Sequence, residues 1–166
     1  MSPSNNIDLI RVILILILVY LSYIDLRTFR LPDLITVPLI IAGLFFNYFS
    51  LFGFVDIANS IIGAFIGYGF LWLLNNLYRL LKNQNGIGMG DAKLLAALGA
   101  WLGWAALPGI LLIASITGVI GGMAYLKWHK KSPRQAFPFG PFLAFAGIIE
   151  LLWPRIIPSL LLGNLS

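Results

Sequence analysis

The 166-residue sequence has no cysteine, one histidine, and six acidic residues against eleven lysines and arginines. The first absence excludes a structural disulfide, a thiol nucleophile and a cysteine-ligated zinc site. The lone histidine, His129, has no second histidine with which to hold a metal and no serine motif near it, so it reads as a solvated residue of a basic loop. Neither a His-Glu-x-x-His spacing nor a Gly-x-Ser-x-Gly elbow occurs, and no metal or cofactor is expected. Charge of either sign is scarce at 10%, while 60% of residues are hydrophobic and the mean hydropathy is +0.93. Such a chain has too little polar surface to cover a water-soluble globule of its size.

What is present is apolar sequence in runs of about 17 to 25 residues, which at a rise of about 1.5 Å per residue suits a bilayer core of about 30 Å. Barrel strands would alternate over about 10 residues, and no such alternation is seen. The expected fold class is all-α, a polytopic integral membrane protein with six transmembrane helices at 7–24, 34–51, 55–78, 91–106, 108–126 and 138–157. The fourth span is the weakest, being rich in Ala96, Ala97, Gly99, Ala100 and Gly103, and Pro108 with Gly109 separates it from the fifth. Without a polar linker, low-complexity segment or clear repeat, residues 1–166 read as a single membrane domain. The first span lacks the basic start and small-residue exit of a secretory signal and reads as a retained helix.

Arg27 and Arg30 lie between spans one and two, Arg79, Lys82 and Lys93 flank the link from three to four, and Lys127, Lys130, Lys131 and Arg134 lie between five and six. Only Arg11 and Arg155 belong to the other side. The positive-inside rule then makes the three basic loops cytoplasmic and puts both termini on the outer side. The basic loop "KWHKKSPR" suits anionic lipid head groups; nothing accompanies it that would read nucleic acid.

The remaining chemistry is carboxylate. Asp8 and Asp56 fall near outer span ends and need no special explanation, whereas Asp25, Asp33 and Asp91 map to the cytoplasmic face together. Two acids from separate loops at one depth can form a dyad, one protonated and one ionised, that activates water and protonates a leaving amine. Asp91 follows Gly86, Gly88 and Gly90, which lack a Cβ and admit the close approach of another peptide backbone. The plainer alternative is that Asp91 caps the fourth helix behind a tight loop. Glu150, about 18 Å along the sixth span by helix rise, is too far away to join a cytoplasmic dyad and reads as structural. The pairs Gly63/Gly67, Gly99/Gly103 and Gly118/Gly122 have the small-xxx-small spacing of close helix packing.

"GIGMGDAKLLAALGAWLGW" resembles the Gly-x-Gly-x-Gly-Asp-x-Lys signature of the type IV prepilin peptidases, GxGD-type aspartic intramembrane proteases. "YIDLRTFRLPDLITVPL" (23–39) is similar to that family's first-aspartate segment and "FPFGPFLAFAG" (137–147) to its closing Pro-Phe-Gly-Pro segment. Three motifs in the family's order, spread over most of the chain, are more specific than any one of them.

The resemblance implies an aspartic endopeptidase of the bacterial inner (cytoplasmic) membrane, with Asp25 and Asp91 catalytic. Its substrates would be type IV prepilins or type II secretion pseudopilins, cut on the cytoplasmic face between a glycine and a hydrophobic residue, a basic leader preceding the cut and a hydrophobic helix following it. Asp33 matches the Leu-Pro-Asp of the first segment and is given a supporting role, capping the second span. Lys93 matches the signature lysine, either pairing with a carboxylate or a lipid head group or serving as a cytoplasmic anchor, as Arg27 and Arg30 do. Pro138, Phe139, Gly140 and Pro141 would fix the start of the sixth span and line the substrate cleft. Larger members carry an N-terminal cysteine-paired domain linked to N-methylation, which has no counterpart in this sequence, so peptidase activity without methyltransferase activity is expected. A small-solute or ion transporter is the rival of a different class, against which the one-sided clustering of acids counts. A non-catalytic pilus or secretion scaffold and a relative cutting archaeal flagellin-like precursors are the others.

Overall fold

A computed structural model describes residues 3–49, 53–82, 88–129 and 138–153. Every regular element among them is helical: α1 (Pro3–Thr28), α2 (Asp33–Phe49), α3 (Ile57–Lys82), α4 (Met89–Leu102), a 3-10 turn (Trp104–Ala106), α5 (Leu107–His129) and α6 (Gly140–Leu152). Three stretches, Ile7–Thr28, Ile57–Lys82 and Trp104–Met123, are long and apolar enough to cross a membrane. Helices α2, α4 and α6 have 17, 14 and 13 residues and are shorter than a full crossing. The all-helical expectation therefore holds, with membrane-crossing length in three helices.

The short helix α4 is the axis of the bundle. Ten of its fourteen residues are buried, from Asp91 to Trp101, because α2, α3 and α6 all pack on it. Alanine and glycine make that possible: Gly63 of α3 and Gly99 of α4 meet backbone to backbone, and a β-carbon at Gly67 would stand 2.6 Å from the Leu95 carbonyl oxygen. For Gly63, Gly67 and Gly99 the glycine spacing noted in the sequence is thus a packing seam within one chain. Helix α1 packs on α6, as does α5, where a β-carbon at Gly121 would lie 2.6 Å from the Phe142 ring. The outward faces carry Leu16, Phe65, Leu80 and Ile120, all exposed as lipid contact requires.

Helix bounds differ from the expected ones, in three places for local reasons. Helix α4 ends at Leu102, not residue 106, because Gly103 takes a φ of 79°, a conformation natural to glycine. Pro108, expected as a separator, sits in the first turn of α5, where its missing N–H costs nothing. Helix α6 begins at Gly140, not 138, with Pro141 in its first turn; its C-terminal cap is Trp153.

Candidate active site

Asp25 lies in the last turn of α1, where the Phe29 N–H donates to the Asp25 carbonyl at 2.8 Å. Phe29 has a φ of 54°, a left-handed conformation unusual for an aromatic residue, and it turns the chain sharply out of the helix. The Thr28 hydroxyl sits between the Ile24 and Arg30 carbonyl oxygens, at 2.9 and 3.0 Å, and steadies that turn. Asp91 lies in the first turn of α4, which Gly88 precedes in extended conformation. The N-cap is therefore Gly88, and Asp91 donates its own backbone N–H to the Gly88 carbonyl at 3.1 Å. Asp91 as helix cap, the plainer alternative, does not describe this geometry.

The two carboxyls meet at the start of α6. A β-carbon placed on Gly140 would stand 2.6 Å from Asp25 Oδ2 and 3.3 Å from Asp91 Oδ1, so the oxygens are no farther apart than those lengths combined. Both aspartates are buried. The Gly140 backbone amide faces the Asp25 carboxyl, yet Asp25 Oδ2 is enclosed without a hydrogen-bond partner among the described residues. Two helix N-termini, of α4 and α6, converge here, and their positive ends favour one negative charge. Two carboxyls this near, with little water, are most cheaply held with a single shared proton.

The structure brings some predicted residues into this cluster and places others beside it. Gly140 contacts both carboxyls through its bare Cα, and Gly88 stands against Asp91, its β-carbon position 3.4 Å from Oδ2. Gly90 differs from expectation: the space a β-carbon would need is taken by Leu31 of this same chain, at 2.9 Å, so that glycine seats the α1–α2 turn on α4 and leaves no room there for an incoming peptide. Asp33 lies outside the pair. It begins α2, and its carboxyl accepts from Lys93 Nζ at 2.5 Å, while the Pro32 carbonyl accepts the Ile35 and Thr36 amides. Lys93 thus pairs with a carboxylate, the first of its alternatives. Pro138 is buried and Phe139 half-buried beside the site. Gly86 lies outside the described residues.

Glu150 is buried at the far end of α6, sharing a cavity of about 600 Å³ with Arg11, Asp56 and Asn59, remote from the aspartates as its helix position demands. Asp8 and Asp56 belong to the same end, Asp8 beside Arg11 at 3.5 Å and Asp56 accepting from the Asn59 amide at 3.0 Å.

Sequence reasoning missed Asn75, a buried amide on α3 whose Nδ2 lies 3.8 Å from Met89 Sδ at the start of α4. An asparagine pair inside an apolar helix was the available signal.

A cavity of about 790 Å³ opens from Asp91 between α3 and α5, walled by Phe70, Leu74, Leu112, Ser115 and Phe139. Apolar walls ending at a carboxyl suit an apolar polypeptide with one peptide bond presented for hydrolysis.

Comparison with known proteins places the chain in a family of peptidases. A model of the type IV leader peptidase family matches residues 12–123, a stretch containing both aspartates. A protein of Aeromonas hydrophila named prepilin leader peptidase/N-methyltransferase is 46% identical over 148 residues, 89% of this chain and 50% of that protein. Proteins of the same name from Aeromonas salmonicida (strain A449) and Legionella pneumophila are 47% identical over 137 residues and 46% over 148, covering 82% and 89% of this chain. The chain spans about half the length of these relatives. No solved structure matches.

Proposed function

Because the chain belongs to the type IV leader peptidase family, we propose that it is a membrane-embedded aspartic endopeptidase that removes the leader of prepilins or pseudopilins. The observation that carries the reading is the convergence of Asp25 and Asp91, from two separate helices, on Gly140. With one proton between them, the ionised carboxyl takes a proton from water as the water oxygen attacks the peptide carbonyl carbon. The protonated carboxyl gives its proton to the leaving nitrogen as the C–N bond breaks. Closure of the site against bulk water strengthens both transfers.

Arg27 in the last turn of α1, Arg79 and Lys82 in the last turn of α3, and Lys93 in α4 all belong to the end that carries the aspartates. By the positive-inside rule that end is cytoplasmic, and the family reading makes the membrane the bacterial inner one. Six passes with both termini outside follow if α2, α4 and α6 complete their crossings within the shelter of the longer helices. A basic leader would remain at the cytoplasmic surface, with cleavage between a glycine and a Phe-like residue. Of the two activities in the relatives' names, hydrolysis is the one this pair of carboxyls suits; these 166 residues acting alone are expected not to methylate the new terminus.

The test is cleavage of a prepilin bearing a Gly-Phe junction by the purified full chain. The expected result is loss of the leader with wild type and with Asp33→Asn, and an intact prepilin with Asp25→Asn or Asp91→Asn. Full activity in either of the last two would overturn the dyad. Product mass, measured with S-adenosylmethionine present, reads methylation in the same tube, and one added methyl group would refute the second part.

A further inference from the structure

The furrow between α3 and α5 is not explained by the aspartate pair alone. Helix α3 packs along α4 and helix α5 along α6, so the two diverge, and α4 forms the floor between them. The cavity at Asp91 continues into a second, of about 290 Å³, through the shared side chains Phe70 and Leu111. This second part runs past Gly67 and Leu95 to Trp104 and Leu107. From Asp91 to Trp104 the furrow follows α4 for about 20 Å, the length of roughly 13 helical residues. Its walls are apolar apart from Ser115, and Phe70, Leu112 and Ile116 remain exposed along it.

Among the described residues, the neighbouring helix seams are packed. The α3–α4 seam is sealed where Gly63 meets Gly99, and α2 is fastened to α4 by Lys93–Asp33 at one end and by the Trp101 indole donating to the Leu39 carbonyl at the other. Helix α1 packs on α6.

We propose that the furrow between α3 and α5 is the seat of the substrate's apolar helix, the segment following the scissile bond, which lies along α4 with its first residues at Asp91. This rests on the peptidase reading above and deepens it. The occupant is set by continuity: one end of the furrow is the carboxyl that cuts, so a polypeptide that fills it presents its own N-terminal junction to the pair. Burial of an apolar helix face along this length would supply the binding energy that holds the junction in place.

Because the chain lacks cysteine, single introduced cysteines report single contacts. Full chain carrying Ser115→Cys in an Asp25→Asn background is mixed with uncut prepilin bearing one cysteine, scanned along its apolar helix, and oxidised in detergent. The expected result is coupling from Ser115→Cys at helically spaced substrate positions, and none from Leu16→Cys on α1 or Phe45→Cys on α2. Equal coupling from all three, coupling only between two copies of the enzyme, or no coupling from Ser115→Cys would overturn the proposal. A second measurement uses Leu112→Trp, which narrows the furrow: KM for prepilin should rise about tenfold while kcat stays within about threefold. An unchanged KM counts against the furrow. If wild type cuts no prepilin, the peptidase reading itself fails; if it cuts prepilin while Ser115→Cys stays uncoupled, only the furrow fails.

Discussion

The two ends of α4 are both polar and both buried, yet they are finished in opposite ways. At the C-terminal end, the Asn47 amide donates to the Ala100 and Trp101 carbonyls at 2.9 and 3.1 Å, and the Ser60 hydroxyl donates to Ala100 as well. Carbonyls that a helix end leaves without partners are thus answered by side chains from α2 and α3. At the N-terminal end, two carboxyls crowd one glycine and Asp25 Oδ2 has no partner among the described residues. A closed polar network specifies packing, whereas buried oxygens with bonding capacity left over keep it for an incoming group. Changes at the first end should be read in stability and at the second in rate.

The sharpest way to break this contrast is at the aspartates. Asp25→Asn or Asp91→Asn should lower prepilin cleavage by about three orders of magnitude or more while leaving thermal unfolding in detergent unchanged or slightly raised, since two crowded acids disfavour the fold. A collapse of Tm with either variant would make the pair structural and erase the distinction. With wild type, cleavage against pH should pass through a maximum. On the acid side both carboxyls hold protons and no base remains; on the alkaline side neither does and no acid remains. A rate that rises to a plateau with no alkaline limb would remove the proton-donor role.

Gly140→Ala comes next in size. The new methyl group would fall 2.6 Å from Asp25 Oδ2, the movable end of a side chain, so the carboxyl gives way at small cost in stability. Displacement of a reacting group by about an ångström lowers cleavage roughly a hundredfold. Asn47→Ala, at the other end of the same helix, should do the reverse. It strands the Trp101 carbonyl and leaves Ala100 to Ser60 alone, and costs about 1–3 kcal/mol of stability, with kcat/KM near wild type below the transition. Large rate losses from Asn47→Ala at full folding would merge the two ends into one functional unit.

Much of this was legible in the residues. The run from Gly86 to Gly103 marks both the aspartate and the small-residue axis, and length and hydropathy give an all-helical membrane chain. What could not be read was which groups answer which. The Asn47–Ser60–Ala100 knot joins residues 13 to 53 positions apart, and no spacing rule connects them. Gly90 and Gly140 are alike in sequence, yet one seats Leu31 and the other receives both carboxyls. A glycine declares that something comes close without declaring what. The bounds of α4 and α6 were not legible either: the turn at Gly103 ends one and Gly140 with Pro141 starts the other.

The smallest effect belongs to the third acid of the aspartate end, and it bounds the site. Asp33 is mostly exposed and its partner Lys93 partly so. An ion pair in such surroundings is worth about 0.2–1 kcal/mol, which salt reduces. Its physical role is to hold the start of α2 against α4, two residues along from Asp91, so any influence on rate passes through the position of that helix. A double-mutant cycle of Asp33→Asn and Lys93→Gln should therefore give a coupling below about 1 kcal/mol in stability, and each single variant should keep cleavage within about threefold of wild type. If Asp33→Asn alone silenced cleavage while Lys93→Gln did not, Asp33 would act in its own right, and the reacting pair would need a third carboxyl.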